Sequence, residues 1–274
     1  MDSVKPRIVL ICHADDPLNR DALARWLASF ADLAGIVALD ETKTRLWRRV
    51  KREARRVGWF RFLDVLLFRF FYKMFLGKLD RVWEERRLAE LDRRFPPLTA
   101  DAKILRASSP NAPEVEAFLK EARPDLMIAR CKTLLKPAIF TIPPRGTFVM
   151  HPGVCPQYRN AHGCFWALAN NDLDNVGMTL LKIDQGVDTG PVFGWFRCAV
   201  EDADDSHIVI QHRVVFDNLD AIREKLLEIV AGRAEPISTA GKPSGEWGQP
   251  WMTAYWRWRK FAGLRQAARA KAKS

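Results

Sequence analysis

The sequence predicts an α/β protein: a Rossmann-like, mostly parallel twisted sheet with flanking helices, interrupted by a basic, aromatic helical insert. Three observations carry this. The chain opens strand–helix–strand, it returns later to short apolar runs alternating with helical patterns, and a block near residues 43–97 follows neither rhythm. In the opening, residues 7–12 (Arg-Ile-Val-Leu-Ile-Cys) read as a buried strand. Residues 20–33 carry Leu23, Trp26, Leu27, Phe30 and Leu33 at helical spacing, and residues 35–39 are a second apolar strand. Such a unit closes as a right-handed crossover in a parallel sheet.

The rhythm resumes at Ala102. Residues 103–107, 125–129, 147–150 and 177–183 read as strands. Between them lie a helix that Asn111 could cap, a short helix over 134–140 and another from Cys164 to Asn170. Residues 206–231 read as one long helix, with Ile210, Val214, Ile222 and Leu226 at its spacing. After Gly232 come turns, four tryptophans and a basic tail. The domain organisation expected is one α/β domain over 1–235, with its insert at about 43–97, and a Trp-rich segment with a basic tail over 236–274.

Five scattered cysteines without CxxC spacing exclude a disulfide framework and a structural zinc site. No metal is expected, and a reducing, cytoplasmic compartment fits. The N-terminus enters its first strand without an apolar segment before a cleavage site, so no secretory signal is read. The net charge of +11 is uneven. Residues 43–87 hold 15 Lys/Arg against 5 Asp/Glu, and residues 255–274 hold 7 Lys/Arg and no acid, so the remainder is mildly acidic. Basicity belongs to the accessory segments, where it suits an anionic partner or a solvated face.

The segment from Gly58 to Leu76 is strongly apolar and aromatic but carries Arg61, Asp64, Arg69 and Lys73. At about 100° per residue these four fall on one half of a helix and leave the other half apolar. Four charges argue against a membrane span. Two readings stay open. The apolar half packs on the protein or on a second subunit of a homodimer, or it lies in a membrane interface, making the protein peripheral to the membrane.

The chemistry-bearing residues cluster in two segments. In the first, an apolar strand from Gly146 ends at His151 and runs on through Pro152, Gly153, Pro156, Tyr158, Arg159 and Asn160 to Trp166 and Ala167. A polar residue at the C-terminal end of an α/β strand is where ligands bind, and histidine suits proton transfer near neutral pH. In the second, Gly177 and Thr179 precede a loop with Asp184, Gly186, Asp188 and Gly190. Taken singly, these read equally well as a structural histidine and an ordinary Asp/Gly turn.

Together they resemble the formyltransferase family, which includes methionyl-tRNA, glycinamide ribonucleotide and sugar N-formyltransferases. Its pattern is roughly G-x-x-N-x-H-P-S-x-x-P-x-Y-R-G, a W-A helix, G-x-T, then D-x-G-x-D-x-G. The resemblance extends over residues 103–140, through Asn111-Ala-Pro-Glu-Val and Arg123-Pro-Asp125-Leu, and fades before Ala102. It implies a formyl donor, 10-formyltetrahydrofolate, and a small-molecule amine acceptor such as an amino sugar. It implies that His151 and Asp188 are catalytic. Asp184, Gln185, Gly186 and Val187, with Arg130 and Leu134, are implied to contact the cofactor.

The sequence departs from this pattern at three places. Where the family keeps a catalytic asparagine, two before the histidine, stands Val149; Pro-Ser has become Pro152-Gly153; and the glycine after Tyr-Arg is Asn160. Loss of one oxyanion donor costs about a hundred- to a thousand-fold in rate. Asn160, His162 and Lys132 are the candidates for a replacement, Asn160 being carried forward as the third catalytic residue. Nucleic acid is not expected as a partner, because the region after residue 203 lacks the period-two strands of the tRNA-binding barrel found in methionyl-tRNA formyltransferases. The alternatives to transfer are a catalytically impaired folate- or partner-binding homologue and a formyl hydrolase.

Overall fold

The computed structural model describes residues 5–41, 43–99, 102–200 and 204–272. The N-terminal residues 1–4, the expected start of the basic helix at Thr42 and the last two residues of the tail lie outside them.

The chain runs β1 (Arg7–His13), a π-helical turn (Leu18–Ala22) leading into α1 (Leu23–Phe30), and β2 (Asp32–Leu39). The insert follows as α2 (Lys43–Val57), α3 (Trp59–Phe71), a second π turn (Tyr72–Leu76) and α4 (Gly77–Arg94). Then come β3 (Ile104–Ala107), α5 (Pro113–Ala122), β4 (Leu126–Arg130), α6 (Pro137–Phe140) and β5 (Thr147–His151). The remainder is β6 (Arg159–Asn160), α7 (Gly163–Ala169), β7 (Met178–Lys182), β8 (Val192–Phe196), α8 (His207–Phe216), α9 (Leu219–Val230), β9 (Glu246–Trp247) and α10 (Met252–Lys271).

Seven strands form the main sheet in the order β3-β2-β1-β4-β5-β7-β8. The first five are parallel, and β7 runs antiparallel to both its neighbours, β5 and β8, as expected for a mostly parallel α/β sheet. Strand order turns back on itself at β1, which pairs β2 on one side and β4 on the other. Ligands bind at the carboxyl ends of strands near such a reversal. Between their polar ends, β1 (residues 8–12) and β4 (residues 126–129) are apolar and buried, because helices cover both faces of the sheet. One core holds Trp26, Phe148, Phe165, Trp166 and Trp258 from α1, β5, α7 and α10; a smaller one on the other face gathers Val37, Met127, Leu119 and Ile139.

The structure corrects several expectations. The first helix stops at Phe30 because Ala31 is extended, and Leu33 belongs to β2. Asn111 does not cap α5; Ala112 holds that position, and the Asn111 carboxamide instead joins Leu134 O and Lys136 N. The helix expected over 206–231 is two, broken at Asp217–Asn218, where Asn218 Nδ2 donates to the carbonyls of Val214 and Arg197. The basic tail is most of a 20-residue helix, α10, whose Trp258 is fully buried. Neither α4 nor β8 stood out in the sequence.

A strip of α3 ties the insert to the helices α7, α8 and α10. Phe62, Val65 and Phe68 are buried, and the Phe68 ring lies 5.4 to 5.7 Å from those of Phe165, His207 and Tyr255. A buried carboxylate anchors it further. Asp80 of α4, 3% exposed, accepts from Tyr72 Oη and Ser206 Oγ, both at 2.8 Å. Ser206 in turn caps α8 by accepting from the amides of Ile208 and Val209. Burial holds the Asp80 carboxyl above the ordinary carboxylate range, so its two donors are what keep it tolerable in the interior.

Candidate active site

Strand β5 delivers His151 to its carboxyl end, 5% exposed. By the two-residue period of a strand, Val149 and His151 face the same side and Met150 the other. The His151 ring is held at both nitrogens. Nε2 lies 2.9 Å from Tyr158 O, and Nδ1 lies 3.4 Å from Asp188 Oδ2. A carbonyl oxygen only accepts, so Nε2 carries its hydrogen and donates it to Tyr158. Nδ1 is therefore the ring position at which a proton is gained or lost, and it faces a carboxylate.

The turn behind His151 is built from close approaches. A Cβ on Gly153 would sit 2.5 Å from Tyr158 O and 2.7 Å from His151 Nε2, and one on Gly163 would sit 2.5 Å from Gly153 Cα. Thr179, fully buried and opposite His151 on β7, donates to Gly153 O at 2.6 Å and accepts from Cys155 N at 2.9 Å. The threonine of G-x-T is thus the polar pin of the turn.

The Asp/Gly loop is self-supporting. Asp184 accepts from Gly186 N at 2.9 Å and from Thr189 Oγ1 at 2.8 Å. A Cβ on Gly190 would sit 1.8 Å from Lys182 O, so only glycine passes there. Arg159 Nη1 donates to Val187 O at 2.9 Å, and Asp188, with φ of 51°, takes the left-handed conformation that turns its carboxylate to His151. Gln185 and Gly186 are exposed at the loop's edge and Val187 is half-buried.

Asn160 has φ of 75°, in the region that glycine enters freely and asparagine tolerates best among the others, which accounts for the family's glycine there. Its backbone N–H donates to Asp188 Oδ2 at 2.8 Å. Its carboxamide turns away and donates to Trp247 O at 2.7 Å, across the β6–β9 pair. That two-residue pairing left no signal in the sequence. Val149 is half-buried against Cys155, Leu181, Val192 and Trp195. Arg130 donates from Nε to Asn19 Oδ1 at 2.8 Å and from Nη1 to Met150 O, bracing the ends of β4 and β5. Leu134 is 61% exposed on the loop after β4.

His162, φ 56°, turns its ring toward His207 at 5.7 Å. Burial, then the charges of Lys132 and Arg69, push its pKa down to about 4. The unfolded chain binds this proton first, so the stability contributed is present above the ordinary value of 6.5 and is lost as pH falls from there through about 4. At roughly 1.4 kcal/mol per unit this is a few kcal/mol. His162→Phe is expected to flatten that part of the stability–pH curve, read by urea melts; an unchanged slope would count against it. Burial pushes the Cys12 and Cys131 thiols up to about 12 and about 11, so neither offers a thiolate at neutral pH. Among the described residues no group of three or more His, Cys, Asp or Glu is placed to hold a metal ion.

This geometry sits on a chain whose residues 82–226, more than half its length, match the family model described as formyl transferase. Methionyl-tRNA formyltransferase from Bacteroides fragilis (strain YCH46) is 32% identical over 152 residues, covering 50% of this chain and 47% of that protein. The enzyme of the same name from Dehalococcoides mccartyi (strain CBDB1) is 34% identical over 107 residues, 39% of this chain and 34% of that one. The matches thus span a third to a half of those relatives' length. In three dimensions the chain is similar to a sugar N-formyltransferase from Shewanella sp FDAARGOS_354, with TM-score 0.53, 11% identity and coverage of 89% and 76%. It is also similar to phosphoribosylglycinamide formyltransferase from Anaplasma phagocytophilum, with TM-score 0.52, 11% identity and coverage of 90% and 100%. The sheet, the His151–Asp188 pair and the family match agree: the chain belongs to the formyl transferase family.

Proposed function

We propose that the protein transfers a formyl group from 10-formyltetrahydrofolate to a small-molecule amine, an amino sugar or another metabolite. The observation that carries the proposal is the His151–Asp188 pair at 3.4 Å, oriented by the Tyr158 carbonyl. The folate fits the residues present: Gln185 and Gly186 form an exposed edge two to three residues before Asp188, and exposed Leu134 offers an apolar surface for a flat ring. Bound there, the donor supplies an activated formyl carbon.

The acceptor nitrogen attacks that carbon, forming a C–N bond while the carbonyl electron pair moves to oxygen. The attacking amine's proton passes to the His151–Asp188 pair at Nδ1. The pair returns a proton to the departing nitrogen as the old C–N bond breaks, so no net proton stays on the protein. His151 is fixed by Tyr158 and Asp188 by the Asn160 amide, so both groups are pre-oriented when charge moves.

The oxygen that gains charge needs a donor that Val149 cannot be. Lys132 stands two residues past Arg130, just beyond the end of the strand beside β5, and its amide donates to His13 Nε2 at 3.1 Å. Of the three candidates the Asn160 carboxamide is engaged by β9 and the His162 ring faces His207. We propose the remaining candidate, the Lys132 ammonium, for the oxyanion: its charge is felt at the ring of His162, which precedes the Gly163 packed on the His151 turn. Lys132→Met is expected to lower kcat about a hundred-fold with KM for the folate little changed.

The test of the whole reading is consumption of 10-formyltetrahydrofolate by purified protein across a panel of amino-sugar nucleotides and other amines, together with thermal shift by folates. A ligand at 100 times its Kd stabilises by about 2.7 kcal/mol. Stabilisation by a folate with amine-dependent turnover supports transfer. Turnover equal with and without amine makes water the acceptor, and no folate response at all overturns the proposal.

A further inference from the structure

The insert is amphipathic the wrong way round for a protein that ends at its own surface. On α3 and the turn after it, Trp59, Phe60, Leu63, Leu67, Phe70 and Met74 are between 49% and 90% exposed. At about 100° per residue they occupy the half of the helix free of charge, while Arg61, Asp64, Arg69 and Lys73 flank the buried strip. Of the two surfaces that the first sequence reading offers this half, the protein's own core and a second subunit, the core takes only Phe62, Val65 and Phe68 from the helix and leaves this half uncovered.

We propose that this face docks on an anionic membrane surface, with the rings of α3 in the headgroup–acyl boundary and the insert's cations among acidic lipid headgroups. Charge selects this occupant. Residues 43–87 carry 15 Lys/Arg against 5 Asp/Glu, with Lys51, Arg52, Arg55, Lys73 and Lys78 exposed. A second copy of the chain meeting this face about a two-fold axis would set two such basic surfaces together. A bilayer with anionic headgroups satisfies the rings and the cations at once, which is the pattern of helices that lie in a membrane interface. Among the described residues no helix is long and apolar enough to cross a membrane, so the contact is peripheral. The inner strip of α3 meets α7 through Phe68–Phe165, so docking of the outer face leaves the contact between insert and α/β domain in place. The inference does not rest on formyl transfer.

The test is co-sedimentation of the full chain with vesicles of phosphatidylglycerol or of phosphatidylcholine, with light scattering to record oligomeric state. Expected is binding to phosphatidylglycerol at least about ten-fold tighter than to phosphatidylcholine, since basic residues within a Debye length of an anionic surface are attracted to it, and weakening in high salt. Phe60→Glu and Phe70→Glu should each weaken binding about ten-fold or more, the effect of withholding one aromatic ring from the interface. Both side chains are exposed, so the melting temperature in solution should stay unchanged. The proposal is overturned if the wild-type chain does not sediment with phosphatidylglycerol vesicles, if the glutamate variants bind as well as wild type, or if the wild type is a dimer that these variants split while vesicle binding is absent.

Discussion

His151→Gln is expected to lower kcat for formyl transfer by about three orders of magnitude while leaving the fold intact. Alanine would be a poorer probe, since it leaves the Tyr158 carbonyl without its donor, at a cost of about 1–3 kcal/mol. Glutamine retains an N–H for that carbonyl but has no second nitrogen to take up a proton opposite Asp188. Positioned proton transfer contributes about 10² to 10⁴ in rate, and the whole of that term sits at Nδ1. Asp188→Asn should lose about 10², because the Asn160 amide and Nδ1 would both face a neutral group. The double variant should be little worse than His151→Gln alone, since the two act as one unit. Steady-state kinetics with KM and kcat separated decide this. A His151→Gln enzyme within ten-fold of wild type would remove the pair from the mechanism.

How much of this was legible in the sequence depends on the scale at which each signal is written. Strands β1, β2 and β4 each contain an uninterrupted apolar run, and both faces of the sheet are covered, so composition alone marks them. The site is written in spaced single residues, and Gly146 to Gly190 shows most of it, because Gly190, Thr179 and Asp184 each have a steric or hydrogen-bonding task at a set position. What did not show are features whose partners are distant in sequence. Asn160 looked like a donor, but its carboxamide is bound by Trp247, 87 residues away. α4 lacks a pronounced apolar stripe and buries only Asp80 and Leu91, so it has little periodicity to read. α10 buries Trp258 and Tyr255 on one side and carries charge around the rest, so it read as a basic tail. The apolar half of α3 was visible, but hydrophobicity cannot say whether what it meets is a core or something outside the chain.

Gly153→Ser restores the residue that the family pattern has after His-Pro, yet it is expected to damage this protein. The added Cβ would sit 2.5 Å from Tyr158 O, 2.7 Å from His151 Nε2 and 3.0 Å from Gly163 Cα. Two of these three atoms are backbone, so the strain cannot be relieved by rotating a flexible side chain. Tyr158 O is also the acceptor that orients His151, and any relaxation that makes room for the serine moves the ring away from Asp188. Overpacking typically costs about 1–3 kcal/mol, and a misplacement of about 1 Å at a reacting group costs about a hundred-fold in rate. Gly153→Ser should therefore lower both the melting temperature and kcat, with kcat suffering more than folate binding. Val149→Asn gives the contrasting case. The new carboxamide would enter a half-buried position on the same side of β5 as His151, beside Cys155 and Leu181, so it should lose modest packing but not turnover. Were Gly153→Ser to melt and turn over like wild type, the turn would have to be looser than these contacts describe. The departures at 149 and 153 would then be independent substitutions. If the serine variant fails while Val149→Asn is tolerated, the tight His151–Gly153–Gly163 turn is the feature this chain has evolved around, and the missing asparagine is the one it can do without.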